Sequence, residues 1–181
     1  MPVLPPETLL AGRAARHGRA HLAEVPLVPL HWIAPYPGRE AGLSEALAAG
    51  HGVPFPGPGE THRAGEAEIR WAGRAQALLV GPEAVAPELA AHAAVTDMSD
   101  VHARLALTGP VAPDVLARLV PLDLRPARFP AGRTARSLLG RMTAQLTALD
   151  DGVEIMVMRS FARSAFDEIE TAMRRVAARP G

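Results

Sequence analysis

Cysteine is absent from this 181-residue chain, and so is lysine: all 19 basic residues are arginine. Without thiols there are no disulfides, thiolate metal sites or cysteine nucleophiles, and the composition fits a reducing compartment. Without lysine there is no Schiff base, no P-loop ammonium and no lysine general base. An arginine-only basic complement beside abundant Ala, Gly and Pro is what GC-rich coding produces, so it needs no selection for phosphate-binding forks. Aromatic residues make up 4%, which leaves Ala, Val and Leu to build the core. Net charge is zero, so no field favours nucleic acid or an anionic membrane. No apolar run approaches the roughly 20 residues that span a bilayer. Pro5 and Pro6 interrupt the N-terminus and Arg13 and Arg16 follow closely, a pattern unlike a secretory leader. A soluble, cytoplasmic protein is the expectation.

What is present reads as a globular α+β protein. Hydrophobic residues are 48% and charged residues 21% of the chain, a globular balance. The length suits one large domain or two small ones, burying roughly 70% of the unfolded surface. Residues 1–24 carry an intermittent apolar pattern, and 6–17 read as a short helix or an extended arm that orders on a partner. Residues 25–181 read as a single domain of two half-repeats, 25–93 and 94–179.

In the first half-repeat, 25–33 is strand-like, but Pro26 and Pro29 confine it to a sheet edge. Residues 42–49 are helical through Leu43, Ala46 and Leu47 and are stopped by Gly50. The Pro/Gly-rich stretch 52–59 is a surface loop. Alternation resumes at Ala67, Ile69 and Trp71, turns at Gly73 and returns through Ala77 and Leu79. Gly81-Pro82 then opens a helix reaching about His92. In the second, 101–107 is a strand and 113–120 a helix; 133–149 and 153–158 are strands around Asp150-Asp151-Gly152. Asp151-Gly152 between apolar segments signals a tight hairpin whose glycine takes a positive φ. Ser160 is placed to cap a closing helix over 160–179, with Phe161, Ala165, Ile169, Met173 and Val176 as its apolar stripe. Gly73 and Gly152 stand 79 residues apart, as do Gly81 and Ser160, so the hairpin-plus-helix blocks keep register. Each block is βαββα-like, and two such units packed into one body bury sheet faces that one unit leaves open.

Candidate chemistry is sparse. His17 and His21 would share one face of a helix, but no third ligand accompanies them at motif spacing. His51, His62, His92 and His102 flank loops and junctions, where surface positions outweigh ligand or base roles. Asp97, Ser99 and Asp100 are turn-forming residues before they are an acid–base pair. Asp150 and Asp151 sit at a hairpin tip and read as a solvated turn. No G-x-G-x-x-G occurs, so neither flavin nor NAD is expected to be bound by this chain alone. The arginines 125, 128, 133, 136, 141, 159 and 163 are the most distinctive cluster. Guanidinium groups fork to carboxylates and stack on rings, so with Phe129 and Phe161 as apolar anchors they outline a docking face. The residues expected to make it are Phe129, Arg133, Arg136, Arg159, Phe161 and Arg163. No catalytic residue and no metal ligand is expected.

An ordered series of short motifs carries a resemblance. Val95-Thr96-Asp97-Met98-Ser99-Asp100 precedes Arg104-Leu105-Ala106-Leu107-Thr108-Gly109-Pro110. Then follow Val115 through Leu124, Phe129-Pro130-Ala131-Gly132-Arg133-Thr134-Ala135-Arg136, and Arg159-Ser160-Phe161-Ala162-Arg163. In this order they resemble the gamma subunit of heterotetrameric sarcosine oxidase, chiefly over the C-terminal half. The N-terminal half matches more loosely, through Val53-Pro54-Phe55-Pro56 and the segment from Ile69-Arg70-Trp71 to Gly81-Pro82. The resemblance implies a fold similar to the folate-binding domain of aminomethyltransferases. It also implies an accessory role in a complex that demethylates sarcosine oxidatively to glycine, with hydrogen peroxide and 5,10-methylenetetrahydrofolate as co-products. FAD, FMN, NAD, zinc and tetrahydrofolate would then lie on other subunits, and the alpha, beta and delta subunits would be the partners. Docking is expected on the flavin-bearing beta subunit. A chain that depends on such partners is expected to be marginally stable alone. The alternative is a free-standing folate-binding one-carbon transferase or folate sensor of the same fold, with arginines gripping a glutamate tail. It lacks the lysine-glycine-cysteine signature of the related free-standing proteins, of which Gly132-Arg133 is a faint echo.

Overall fold

A computed structural model of the protein describes residues 10–179. In chain order its elements are β1 (Ala14–His17), β2 (Ala20–Glu24), β3 (Leu30–Pro35), α1 (Glu40–His51), β4 (Thr61–Ala64), β5 (Ala67–Gly73) and β6 (Gln76–Val80). They continue with β7 (Ala93–Asp97), β8 (His102–Thr108), α2 (Ala112–Leu116), β9 (Thr134–Leu139), β10 (Met142–Ala148), β11 (Gly152–Met158) and α3 (Ala162–Ala177). Single 3-10 turns occupy Pro87–Ala91 and Arg159–Phe161. Contacts divide the chain into two units. The first is Val28–Ser99 with Gly132–Ala135; the second is built from residues 10–27, 100–131 and 136–179.

The first unit holds an antiparallel sheet in the order β4-β5-β6-β3-β7. Leu43 and Leu47 of α1 form one cluster with Ile33, Ile69 and Leu79, the inward positions of three neighbouring strands. Burial of such aliphatic side chains stabilises by about 1.5–3 kcal/mol each. The helix runs past Gly50 and ends at Gly52, whose φ of 73° and bond to the Ala48 carbonyl make the left-handed cap. Strand β3 is interior rather than an edge, paired with β6 on one side and β7 on the other. Pro26 and Pro29 precede it, so neither removes a ladder donor. The helix expected from Gly81 to about His92 shrinks to Pro87–Ala91, because Pro87 denies a longer helix a backbone donor.

The second unit's sheet runs β1-β2-β8-β11-β10-β9. Its strands β9-β10-β11-β8-β2 repeat the arrangement of β4-β5-β6-β3-β7. Each block carries three strands after its first helix where the expected βαββα has two, since 133–149 folds back at Gly140 and short β4 adds the matching strand. In β8 the alternation is clean, with Ala103, Leu105 and Leu107 buried between half-exposed neighbours. Helix α3 buries Ala162, Ala165, Phe166, Ile169, Ala172 and Met173 in the cluster that holds Leu105, Leu107 and Ile155. Ala165, Ile169 and Met173 of the expected stripe are buried and Val176 packs against the core, but Phe161 is 40% exposed and Phe166 takes the inward aromatic position. Ser160 makes no side-chain cap bond, because the Arg159–Phe161 turn occupies the helix entry.

Where a helix or arm was expected over 6–17, residues 14–17 are strand β1, hairpinned with β2, which pairs with β8. Arg13 anchors this hairpin to α3. Its guanidinium lies 4.2 Å from the centroid of the Phe166 ring and bonds Asp167 at 2.7 Å and Glu170 at 3.0 Å. His17 adds a 3.2 Å contact to Glu170, whose carboxyl is held below its ordinary range by Arg174 and His17. Residues 6–9 of that expectation lie outside the described residues. The units part at 27/28, 99/100, 131/132 and 135/136; β7 closes the first sheet and β1–β2 extends the second.

Candidate functional site

A ligand-sized concavity lies in the second unit, where β8 ends and β11 begins. Gly109 follows β8 with a φ of 102°; its N–H donates to the Asp151 carbonyl at 2.9 Å, tying the β8 exit to the β10–β11 turn. Gly152 is required for a different reason from the expected one. Its φ is not positive; a Cβ there would lie 2.1 Å from the Leu107 carbonyl oxygen and 2.8 Å from the Thr108 Cα. Close approach of β8, not turn conformation, selects glycine at 152.

Residues 121–131 complete the wall. Arg125 Nε and Nη2 donate to the two Asp123 oxygens at 2.8 and 2.6 Å. Those bonds hold the Asp123 carboxyl at about 2, below its ordinary 3.8. The Arg128 and Phe129 amides both donate to the Arg125 carbonyl at 2.8 Å, a single helical turn that seats Phe129 against the core. The resulting cavity measures about 480 Å³, within the range of ligand-sized sites. Pro110, Pro113, Leu124, Phe129, Leu149 and Val153 give it apolar walls, and Asp150 and Asp151 stand exposed at its mouth. The two aspartates are solvated, as the sequence suggests, but they border a cavity that no periodicity discloses.

Phe129 is therefore near the Gly152 end of β11, while Arg159, Phe161 and Arg163 follow its Met158 end. Six strand steps of about 3.3 Å separate those ends by about 20 Å. Around the latter end, Met158 is 50% and Phe161 40% exposed, Arg163 is exposed, and Arg159 lies 3.7 Å from Asp100. Arg136 shares an exposed face of edge strand β9 with Leu138. Arg133 belongs to the first unit, where it pairs with Glu60 in a bridge that extends the β4 edge. Within the second unit Phe129 thus serves as cavity wall, Arg136 lies on the edge strand, and Arg159, Phe161 and Arg163 gather beyond Met158.

Other polar side chains are structural. His17 and His21 lie on strands of one hairpin, so the helical i,i+4 pairing does not arise. Among the described residues no group of three or more His, Cys, Asp or Glu is placed to hold a metal ion. Asp97 Oδ1 accepts from the Ser99 amide at 2.9 Å and from its hydroxyl at 2.6 Å, a turn that lowers the Asp97 pKa. Two buried ion pairs went unread in the sequence. Arg104 of β8 forks onto Glu154 of β11 at 3.0 and 2.7 Å. On β5, Arg70 Nε donates to Glu68 at 2.6 Å, with Arg63 of β4 on the other carboxylate oxygen. Their only signal was a charge inside an otherwise apolar strand, as at Glu154 in GVEIMVM. Each carboxylate is satisfied by guanidinium groups, so these pairs support packing.

No family model and no curated protein sequence matches the chain. Its backbone is similar to the regulatory subunit of aspartate kinase from Thermus thermophilus in its ligand-free form. That likeness has 14% identity, a TM-score of 0.42, and coverage of 87% of this chain and 99% of that one. Aspartokinase alpha and beta subunits give 10% identity, a TM-score of 0.41, and coverage of 87% and 98%. It is also similar to a chain of heterotetrameric sarcosine oxidase from Corynebacterium sp. U-96, in complex with pyrrole 2-carboxylate. There the identity is 24% and the TM-score 0.82, covering 97% of this chain and 98% of that chain. At that level the two share a fold from one end to the other.

Proposed function

We propose that the chain is the accessory gamma subunit of a heterotetrameric sarcosine oxidase, contributing shape and contact surface while redox chemistry proceeds on its partners. The end-to-end likeness in fold to a chain of such an oxidase, with a TM-score of 0.82, carries this reading. The ordered motifs from Val95 to Arg163 support it independently. So does the local chemistry: the buried carboxylates are neutralised in ion pairs, and the cavity has apolar walls with acids only at its mouth. In this reading the alpha, beta and delta subunits are the partners, with docking on the flavin-bearing beta subunit. FAD, FMN, NAD, zinc and tetrahydrofolate are held by those subunits in the cytoplasm. The complex converts sarcosine to glycine, hydrogen peroxide and 5,10-methylenetetrahydrofolate. The finer fold assignment, likeness to the folate-binding domain of aminomethyltransferases, belongs to the same proposal.

Co-expression of a tagged chain with alpha, beta and delta subunits tests it. Recovery of a flavin-coloured heterotetramer with sarcosine-dependent peroxide formation is expected. A chain that stays alone beside folded partners, or that oxidises sarcosine or retains flavin by itself, overturns the proposal.

A further inference from the structure

We infer that the cavity between the β10–β11 turn and residues 121–131 receives a segment of a partner polypeptide presenting an apolar side chain next to an arginine or lysine. Its walls are rigid: Pro110, Pro113, Pro126 and Pro130 all line it, and fixed φ angles reduce the ordering cost of binding. Its interior is apolar. The only ionisable residues that line it are Asp150 and Asp151, both exposed. A small polar metabolite would find no buried donor or acceptor side chain to orient it, whereas an aliphatic or aromatic side chain finds Leu124, Phe129, Leu149 and Val153.

Charge supplies the second half of the specificity. Among the described residues neither Asp150 nor Asp151 has an ion pair, and the nearby Arg125 is committed to Asp123. A guanidinium beside the inserted side chain meets both carboxylates without displacing an existing partner. The backbone here has less to offer a pairing strand, because the Gly109 and Leu149 amides already donate to Asp151 and Gly152. Side-chain insertion is therefore the binding mode, and the site stands whichever complex the chain joins.

Methyl-detected NMR on the full chain, titrated with N-acetyl-Leu-Arg-amide, tests this directly. Saturable shifts are expected at Leu124, Leu149 and Val153, with unchanged methyls for core residues Leu105 and Ile155. The neutral N-acetyl-Leu-Gln-amide is expected to bind roughly 5-fold more weakly, given the modest strength of exposed ion pairs. Asp150→Asn with Asp151→Asn, both surface changes, removes that difference. Ala131→Trp fills the mouth and abolishes the shifts. The inference is overturned by no saturable shift up to roughly 20 mM or by equal binding of the two dipeptides. Shifts centred on Met158 and Phe161 would overturn it too.

Discussion

Replacing Glu68 by glutamine isolates the most consequential buried charge in the first unit. Arg70 is 1% exposed and Glu68 8%, and their 2.6 Å bond runs along one face of β5. Burial raises the Glu68 pKa, yet Arg70 and Arg63 outweigh it and hold the carboxyl below its ordinary 4.5. Glu68→Gln leaves the Arg70 guanidinium buried without that counter-charge, a loss of about 3–5 kcal/mol. Arg70→Met leaves Glu68 still paired with Arg63 on the solvent side, so its cost is lower, about 1.5–3 kcal/mol. Arg63→Ala removes an exposed partner and costs about 0–1 kcal/mol. The double change Glu68→Gln with Arg70→Met removes both charges together and falls short of the summed losses by about 2 kcal/mol. For a chain of this length Glu68→Gln lowers Tm by roughly 6–20 °C, read by circular dichroism at pH 7. Because the folded pKa is depressed, the pair's contribution is present above 4.5 and fades as pH falls through the folded value. Additive losses in the double variant, or an Arg63→Ala change as damaging as Glu68→Gln, would refute the reasoning.

Gly152→Ala drives a Cβ to 2.1 Å from the Leu107 carbonyl and costs about 1–3 kcal/mol through β8 displacement; urea unfolding reports the shift in midpoint. His51 Nε2 accepts the Ala86 amide at 3.1 Å, which requires a neutral ring, and burial followed by repulsion from His31 lowers its pKa. Its contribution is therefore full above the unfolded value of 6.5 and declines as pH falls below that. His51→Gln flattens the stability profile over that window. Phe161→Ser with Arg163→Glu leaves Tm within about 1 °C, since both side chains are exposed. In the proposed complex it weakens assembly at least 10-fold by analytical ultracentrifugation if that patch docks. Calorimetric titration of the isolated chain with tetrahydrofolate is expected to give no binding heat, and a stoichiometric isotherm would favour the free-standing folate reading.

Much of the architecture was legible because strand and helix periodicities are local properties. The alternation of 101–107, the helix around Leu43 and Leu47 and the hairpin at Asp150-Asp151-Gly152 all stand in the structure, and 52–59 is a loop, though one that buries Val53 in the core rather than lying on the surface. The expectation of two repeated halves agrees with the repeated strand order of the two sheets, although Gly73 ends β5 whereas Gly152 begins β11, so the 79-residue spacing is not the structural register. Misreadings occurred where neighbours distant in sequence decide. Pro26 and Pro29 suggested an edge, but β3 begins after them and gains partners on both sides. β1 looked polar and irregular, yet Arg13 and His17 are ordered by Asp167 and Glu170 more than 150 residues away.

The candidate site followed the same division. Composition alone disposed of thiol and lysine chemistry, and the sequence offered the arginine-rich segments with Phe129 and Phe161 as candidates for a docking face. Only the tertiary structure separated Phe129 from Phe161 along β11, turned Phe166 inward in place of Phe161, and paired Glu68 and Glu154 with guanidinium groups. The cavity beside Gly109 and Gly152 was likewise invisible in one dimension. Its walls come from three chain segments, and their meeting depends on which strands adjoin, a choice that periodicity does not encode.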